Sequence, residues 1–288
     1  MDFSDIKAVL SFAAFRPDPD DYTQTWARRF AGQKQLLVNF SKNEVTWKAV
    51  NRRGKTEDQG HQEGDFMDII AQRATEWRSC SDGGWVGVSL NSRFIITLES
   101  NLPRRKGWED TIRTNPKALL GPRFDRGKRY GMHHNPETSS SLLLATDESF
   151  VRTVEDALKN NGMRPARVGV GLFSMIIDMS QRAFAARKEA AADVLLIAVC
   201  DGSVCALRQK MGTWTDLRCR SGLTPDDASA VMGLVQPFLQ ATDASTRILF
   251  MADRPSTPLA ADFLPQLSNH HVTDITEPDA LWKSFCSN

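Results

Sequence analysis

Two thiols on either side of a turn are what a redox centre uses, and Cys200 and Cys205 flank the pair Asp201-Gly202. An Asp-Gly pair between apolar runs predicts a two-residue type I′ hairpin turn, because both central residues need positive φ. Such a turn sets Cys200 opposite Ser203 and Ala198 opposite Cys205. The two thiols then do not face each other, and ordinary buried side chains are expected. His133-His134 and His270-His271 are adjacent pairs. They lack the i, i+4 spacing that puts two ligands on one helical face, and no cysteine or carboxylate stands at zinc-site spacing beside them, so surface histidines and no metal are expected. No serine lies in a G-x-S-x-G elbow, and no nucleophilic triad is indicated. The most basic region combines Arg104-Arg105-Lys106 with Arg123, Arg126, Lys128 and Arg129, interleaved with Phe124 and Tyr130. Single-stranded nucleic acid favours that mixture. The expectation here is a solvated face on a small accessory subdomain, with contact to an acidic protein or an anionic membrane as the alternative; no nucleic-acid partner is predicted.

The elements that carry these residues are legible from apolar periodicity. Val194 to Cys219 reads as three antiparallel strands joined by tight turns at Asp201-Gly202 and Met211-Gly212. Leu36 to Ala49 (LLVNFSKNEVTWKA) repeats the first hairpin earlier in the chain, so the molecule reads as two related halves. Phe3, Ile6, Leu10 and Ala14 predict an opening amphipathic helix. The RPDPDD stretch, 16–21, sets it off as an appendage that packs on its own domain or docks on a partner. Helices are expected over Phe66–Trp77, Trp108–Leu120, Glu148–Asn161, Phe173–Lys188, Pro225–Thr242, Leu259–Leu267 and Asp279–Phe285, with Pro237 kinking or ending its helix early. Strands are expected over Trp85–Leu90, Arg93–Glu99, Ser141–Ala145, Arg167–Leu172, Arg247–Ala252 and Val272–Ile275. Pro122–Ser141 is read as a loop or an edge strand.

Composition narrows the function classes. Hydrophobic residues make up 41% and charged residues 25%, as in ordinary globular proteins, and no apolar run approaches the roughly 18 residues of a membrane span. A net charge of +1 gives no global field to recruit nucleic acid or anionic lipid. Five cysteines without a C-x-x-C spacing predict reduced thiols and a cytoplasmic setting. Asp2 and Asp5 stand where a secretory leader would be basic, so no such leader is expected.

Two halves that each lead with a glycine-turn hairpin sheet resemble the actin-like ATPase superfamily. Within it, Trp85 to Met175 resembles the PilM-type pilus-assembly proteins and the cytoplasmic domain of GspL-type secretion proteins. The shared features are the strand WVGVSL, the strand and proline of Arg93 to Pro103, a helix ending at Leu120-Gly121-Pro122, and the Gly-x-x-Pro pattern of Asn161-Gly162-Met163-Arg164-Pro165. The resemblance covers about residues 34 to 275. It implies an α/β, actin-like (ribonuclease H-like) two-lobed fold with mixed sheets, flanking helices and a small inserted subdomain. The implied domains are 1–33, an N-terminal helix and linker; 34–190, a first lobe with the insertion at about 92–147; and 191–288, a second lobe.

Active members of that superfamily use, in each hairpin, an Asp that holds Mg²⁺ and a Gly whose N–H reaches a phosphate, with a later Gly-Gly flanking the adenosine. A divalent cation needs anionic oxygen, and close backbone approach needs a residue without Cβ. Residue by residue, the first Asp falls on Asn39 and its Gly on Ser41; the second Asp falls on Ala198 and its Gly on Cys200; the Gly-Gly falls on Ala252-Asp253. Every aligned position is changed in the direction that removes function. Asp201 could substitute for the missing acid only if a bulge intervened, since strand alternation groups it with Val199 rather than Ala198. The resemblance therefore implies no catalytic residue, no cofactor and no metal. It points to a non-catalytic cytoplasmic scaffold of a type IV pilus or type II secretion assembly, held at the inner membrane through the PilN-like cytoplasmic tail of a membrane partner and standing near the assembly ATPase. The competing expectation is a divergent ATP-binding ATPase or kinase.

Overall fold

The computed structural model describes residues 29–287 except 31, 42–43, 92–94, 101–110, 113, 135–140, 185–192, 211–212 and 243–245. The opening helix, the RPDPDD stretch, the Arg104-Arg105-Lys106 run and the Met211-Gly212 turn lie outside the described residues. The chain forms two compact units: Met1–Val88 with Ala157–Val168 and Cys286–Asn288, and Ser89–Asp156 with Gly169–Phe285.

The first unit is built on a five-stranded sheet of order β3-β2-β1-β4-β8. Its strands are β1 (Gln35–Phe40), β2 (Glu44–Val50), β3 (Thr56–Glu63), β4 (Trp85–Leu90) and β8 (Arg164–Val170). The β1–β2 hairpin pairs Leu36 with Ala49, Val38 with Trp47 and Phe40 with Val45, so apolar residues meet across the ladder. β3 has no apolar pattern in the sequence. It pairs antiparallel with β2 at the sheet edge, where TEDQGHQE alternates between exposed and half-buried residues. Helix α1 (Phe66–Ser79) begins at Asp65, whose side chain accepts the Met67 N–H, and buries Ile69, Ile70, Ala74 and Trp77. The Trp77 ring lies 5.6 Å from that of Trp47. After Asn160 the Gly162 N–H donates to the Lys159 carbonyl and the Met163 N–H to that of Leu158, closing the helix before β8.

The second unit carries two sheets. The larger, of order β11-β10-β9-β12-β13, comprises β9 (Asp193–Cys200), β10 (Ser203–Lys210), β11 (Thr213–Ser221), β12 (Arg247–Ala252) and β13 (Val272–Asp274). β9, β10 and β11 run antiparallel, and β12 lies parallel to β9 and β13. Side chains alternate along β9, so one apolar run supplies two cores. Val194, Leu196, Ala198 and Cys200 pack with Leu172, Phe173, Met175, Ile176 and Met179 of helix α4 (Gly171–Phe184). Leu195, Ile197 and Val199 pack with Val231, Val235 and Phe238 of α5 (Ala228–Gln240) and with Leu259 and Phe263 of α6 (Thr257–Phe263). Helix α5 continues through Pro237 to Gln240 rather than ending before it. Helix α7 (Ala280–Ser287) closes the chain.

The smaller sheet, of order β5-β7-β6, comprises β5 (Ile95–Ser100), β6 (Lys128–His134) and β7 (Ser141–Asp147) around a core of Ile112, Leu120, Tyr130, Met132, Leu143 and Ala145. The polar stretch before Ser141 thus supplies an edge strand. Of the helix expected over Trp108–Leu120, α2 (Pro116–Leu120) is separated from the helical residues before it by Asn115, at φ −146°. A residue preceding proline is pushed out of the α region, which accounts for the break. Helix α3 (Glu148–Asn160) follows β7 directly. Among the described residues no helix is long and apolar enough to cross a membrane.

Candidate functional site

The β9–β10 hairpin closes on Asp201 and Gly202 at φ +51° and +66°, the conformation that an Asp-Gly pair predicts. Cys200 faces Ser203 and Ala198 faces Cys205, with no shift of register along the ladder. No bulge moves Asp201 onto the face of Ala198. A Cβ at Gly202 would stand 2.6 Å from the Leu223 carbonyl oxygen, and that close approach is fixed by the Leu223 N–H donating back to the Gly202 carbonyl at 2.8 Å.

Three aligned cleft positions meet at the ends of two neighbouring strands. β12 runs beside β9 with Ala252 level with Val199, so the next residue, Asp253, falls beside Cys200 and Asp201; its N–H donates to the Val199 carbonyl at 3.0 Å. The Asp253 carboxylate turns into the hairpin. Its Oδ2 accepts the Asp201 N–H at 3.0 Å and its Oδ1 the Ser256 N–H at 3.1 Å. Only 2% of Asp253 is exposed, and burial pushes its pKa up to about 6, with the Asp201 charge acting in the same direction. Cys200 is buried beside it, and burial first, then Asp253 and Asp201, raise the Cys200 thiol pKa well above its usual value. Asn91, just past β4, donates its side-chain amide to the Asp201 carbonyl at 3.0 Å and to the Asp201 carboxylate at 2.6 Å.

Ala198 and Ala252 are buried core residues with no polar atom to offer. Asn39 and Ser41 belong to the first unit. Asn39 is buried on β1 opposite Thr46, and the Ser41 N–H donates to the Glu44 carbonyl at 2.9 Å, closing its own turn. Sequence reading missed Asn91 and Ser256. A polar residue directly after a buried strand was a signal for Asn91; nothing local marks Ser256. Among the described residues no group of three or more His, Cys, Asp or Glu is placed to hold a metal ion.

Two cations of the basic region, Lys128 and Arg129, are paired within the chain, while Arg123 and Arg126 are exposed. Arg129 pairs with Glu148 at 2.7 Å and also with Glu155, and Lys128 pairs with Asp147. Burial opposes the Arg129 charge, yet the hydrogen bonds to Glu148 and Glu155 outweigh it and raise the Arg129 pKa; Arg129 in turn holds Glu148 down at about 2.

No family model matches the sequence, and no curated protein matches it. Solved structures do match. A Bacteroides thetaiotaomicron protein described as having an actin-like ATPase fold and unknown function superposes at a TM-score of 0.58 with 8% identity, over 90% of this chain and 97% of that one. A chain of the PilM-PilN type IV pilus biogenesis complex superposes at 0.57 with 11% identity, over 87% of this chain and 89% of that one. The cytoplasmic domain of EpsL, an inner-membrane component of the type II secretion system of Vibrio cholerae, follows at 0.49 with 12% identity, over 88% and 95%. The expected fold is thus the observed one: this chain is a mixed α/β protein with the actin-like ATPase fold, similar to that found in the PilM-PilN complex.

Proposed function

We propose that this protein is a non-catalytic scaffold of a type IV pilus or type II secretion assembly, in which an actin-like fold is kept and its nucleotide cleft is degenerate. One observation carries the reading: the Asp253 carboxylate already accepts the Asp201 N–H. In the resemblance the Gly whose N–H reaches a phosphate falls on Cys200, and the Asp201 N–H is the next donor of the same turn. A phosphate binds at such a turn because free N–H groups and local positive potential attract it. Here that neighbouring donor is taken by a buried internal anion, and Asp201 adds a second carboxylate at the same point. A triphosphate would have to displace one carboxylate and approach another. Ala198, which stands at the Mg²⁺-binding acid position of this hairpin, offers no oxygen to bring in a compensating cation.

The role in assembly rests on the likeness to the PilM-PilN complex together with this closed turn. The partner in this reading is the cytoplasmic tail of an inner-membrane assembly protein, with the assembly ATPase nearby, and the protein works on the cytoplasmic side of that membrane. The test is to immobilise the full chain, recover membrane proteins from the same cell, and titrate a synthetic peptide of any recovered cytoplasmic tail. Saturable binding of one tail peptide is expected. Repeated recovery of no membrane protein with a cytoplasmic tail that binds overturns the assembly role.

A further inference from the structure

The β10–β11 ladder sets Cys205 opposite Cys219, between the pairs Val204 with Arg220 and Ala206 with Arg218. Directly opposed residues of an antiparallel pair have Cα atoms about 4.5–5.5 Å apart and side chains on one face, inside the roughly 4.4–6.8 Å that a disulfide spans. The two thiols differ in access. Cys205 is fully buried in the core that contains Ala198 and Cys200, whereas Cys219 is exposed on β11, the edge strand of the sheet. Burial, and after it the neighbouring Cys219 thiol, raise the Cys205 pKa, which protects Cys205 from direct oxidation.

We propose that Cys205 and Cys219 form an oxidisable dithiol, in which Cys219 meets a hydroperoxide and Cys205 resolves it as a disulfide. The Cys219 thiolate attacks one oxygen of hydrogen peroxide; an S–O bond forms, the O–O bond breaks, and the departing hydroxide takes a proton to become water. The Cys205 sulfur then attacks the Cys219 sulfur. The S–S bond forms, the S–O bond breaks, and the leaving hydroxide combines with the Cys205 proton as a second water. In sum, two thiols lose two electrons and two protons, and one peroxide becomes two waters. Cys200 has no such role, since it is buried and faces Ser203. The product ties the edge strand β11 to β10.

The experiment treats the native full chain with hydrogen peroxide, alkylates remaining thiols under denaturing conditions, and maps peptides without reduction. The expected result is a Cys205–Cys219 cross-linked peptide, about 2 Da lighter than its two parts, that disappears on reduction, while Cys80 and Cys200 stay alkylated. In Cys219→Ser, an exposed and structurally mild change, Cys205 should remain fully alkylatable after the same treatment. The proposal is overturned if Cys219 is oxidised while Cys205 stays free, if Cys219 joins a different cysteine, or if neither thiol is consumed.

Discussion

The carboxylate of Asp253 accepts the backbone N–H of Asp201, fifty-two residues earlier in the chain, at 3.0 Å. This bond fixes the β9–β10 turn from the neighbouring strand and places a buried acid where the turn would otherwise offer a donor. Its pH signature follows from the raised pKa. An acid whose folded pKa is about 6, against 3.8 unperturbed, binds a proton in the folded state before it does so unfolded. Ionisation of Asp253 therefore costs stability at neutral pH, and that cost is regained as pH falls through about 6 towards 4. At about 1.4 kcal/mol per pH unit the swing is on the order of 2–3 kcal/mol. Urea unfolding of wild type and Asp253→Asn between pH 4 and 7.5 measures it. The difference between the two proteins should change by that amount with pH, and parallel curves would contradict the assignment.

Gly202→Ala should destabilise by about 2–4 kcal/mol, because the added Cβ meets a left-handed φ of +66° and a carbonyl oxygen 2.6 Å away. Asp201→Gly relieves the only non-glycine positive φ among the described residues and should cost far less at the backbone. Chemical denaturation of the two variants compares them directly.

Gly60→Ala tests the first unit. A Cβ there would lie 2.5 Å from the Trp47 ring, which is stacked under Arg73 at 4.8 Å and hydrogen-bonded through its indole N–H to Asp58 at 2.8 Å. The ring is held on three sides, so overpacking should cost about 1–3 kcal/mol and shift the Trp47 fluorescence.

Arg129→Ala leaves Glu148 and Glu155 without their shared cation. The pKa of Glu148, held at about 2 chiefly by its hydrogen bond to Arg129, should rise, though Arg152 still pairs with it and keeps it below 4.5; an NMR titration reads the change. The network is half-buried and partly screened, so the stability loss should be about 1–2 kcal/mol. Wild-type Glu148 stability is present above its unperturbed value and is lost only as pH falls towards 2, opposite in sign to Asp253.

The sequence made the β9–β10 hairpin legible to the residue, because Asp201-Gly202 specifies a turn type and the turn type specifies register. Both buried faces of β9 were legible from its unbroken apolar run. The edge strand β3 was not, since TEDQGHQE carries no apolar alternation and is held by its pairing to β2. The break at Asn115 was available from Pro116 but hidden by the apolar spacing around it. The Asp253–Asp201 bond and the Cys205–Cys219 pairing were beyond reach. The first depends on β12 lying parallel to β9. The second depends on the register shift at Arg208/Gln209, which re-aims the far end of β11. The pairing of Arg129 was not legible either, because its carboxylates, Glu148 and Glu155, stand on the helix that follows β7.

The most direct measurement of the central claim is thermal unfolding of the full chain with and without millimolar Mg-ATP. A ligand held only by the folded state at a hundredfold excess over Kd adds about 2.7 kcal/mol, which for a chain of this size raises Tm by at least about 2 °C. With one donor of the turn taken by Asp253 and no acid at Ala198, no Mg-dependent shift is expected for ATP, ADP or GTP. A clear shift that requires Mg²⁺ would contradict the account and put a working nucleotide cleft in its place.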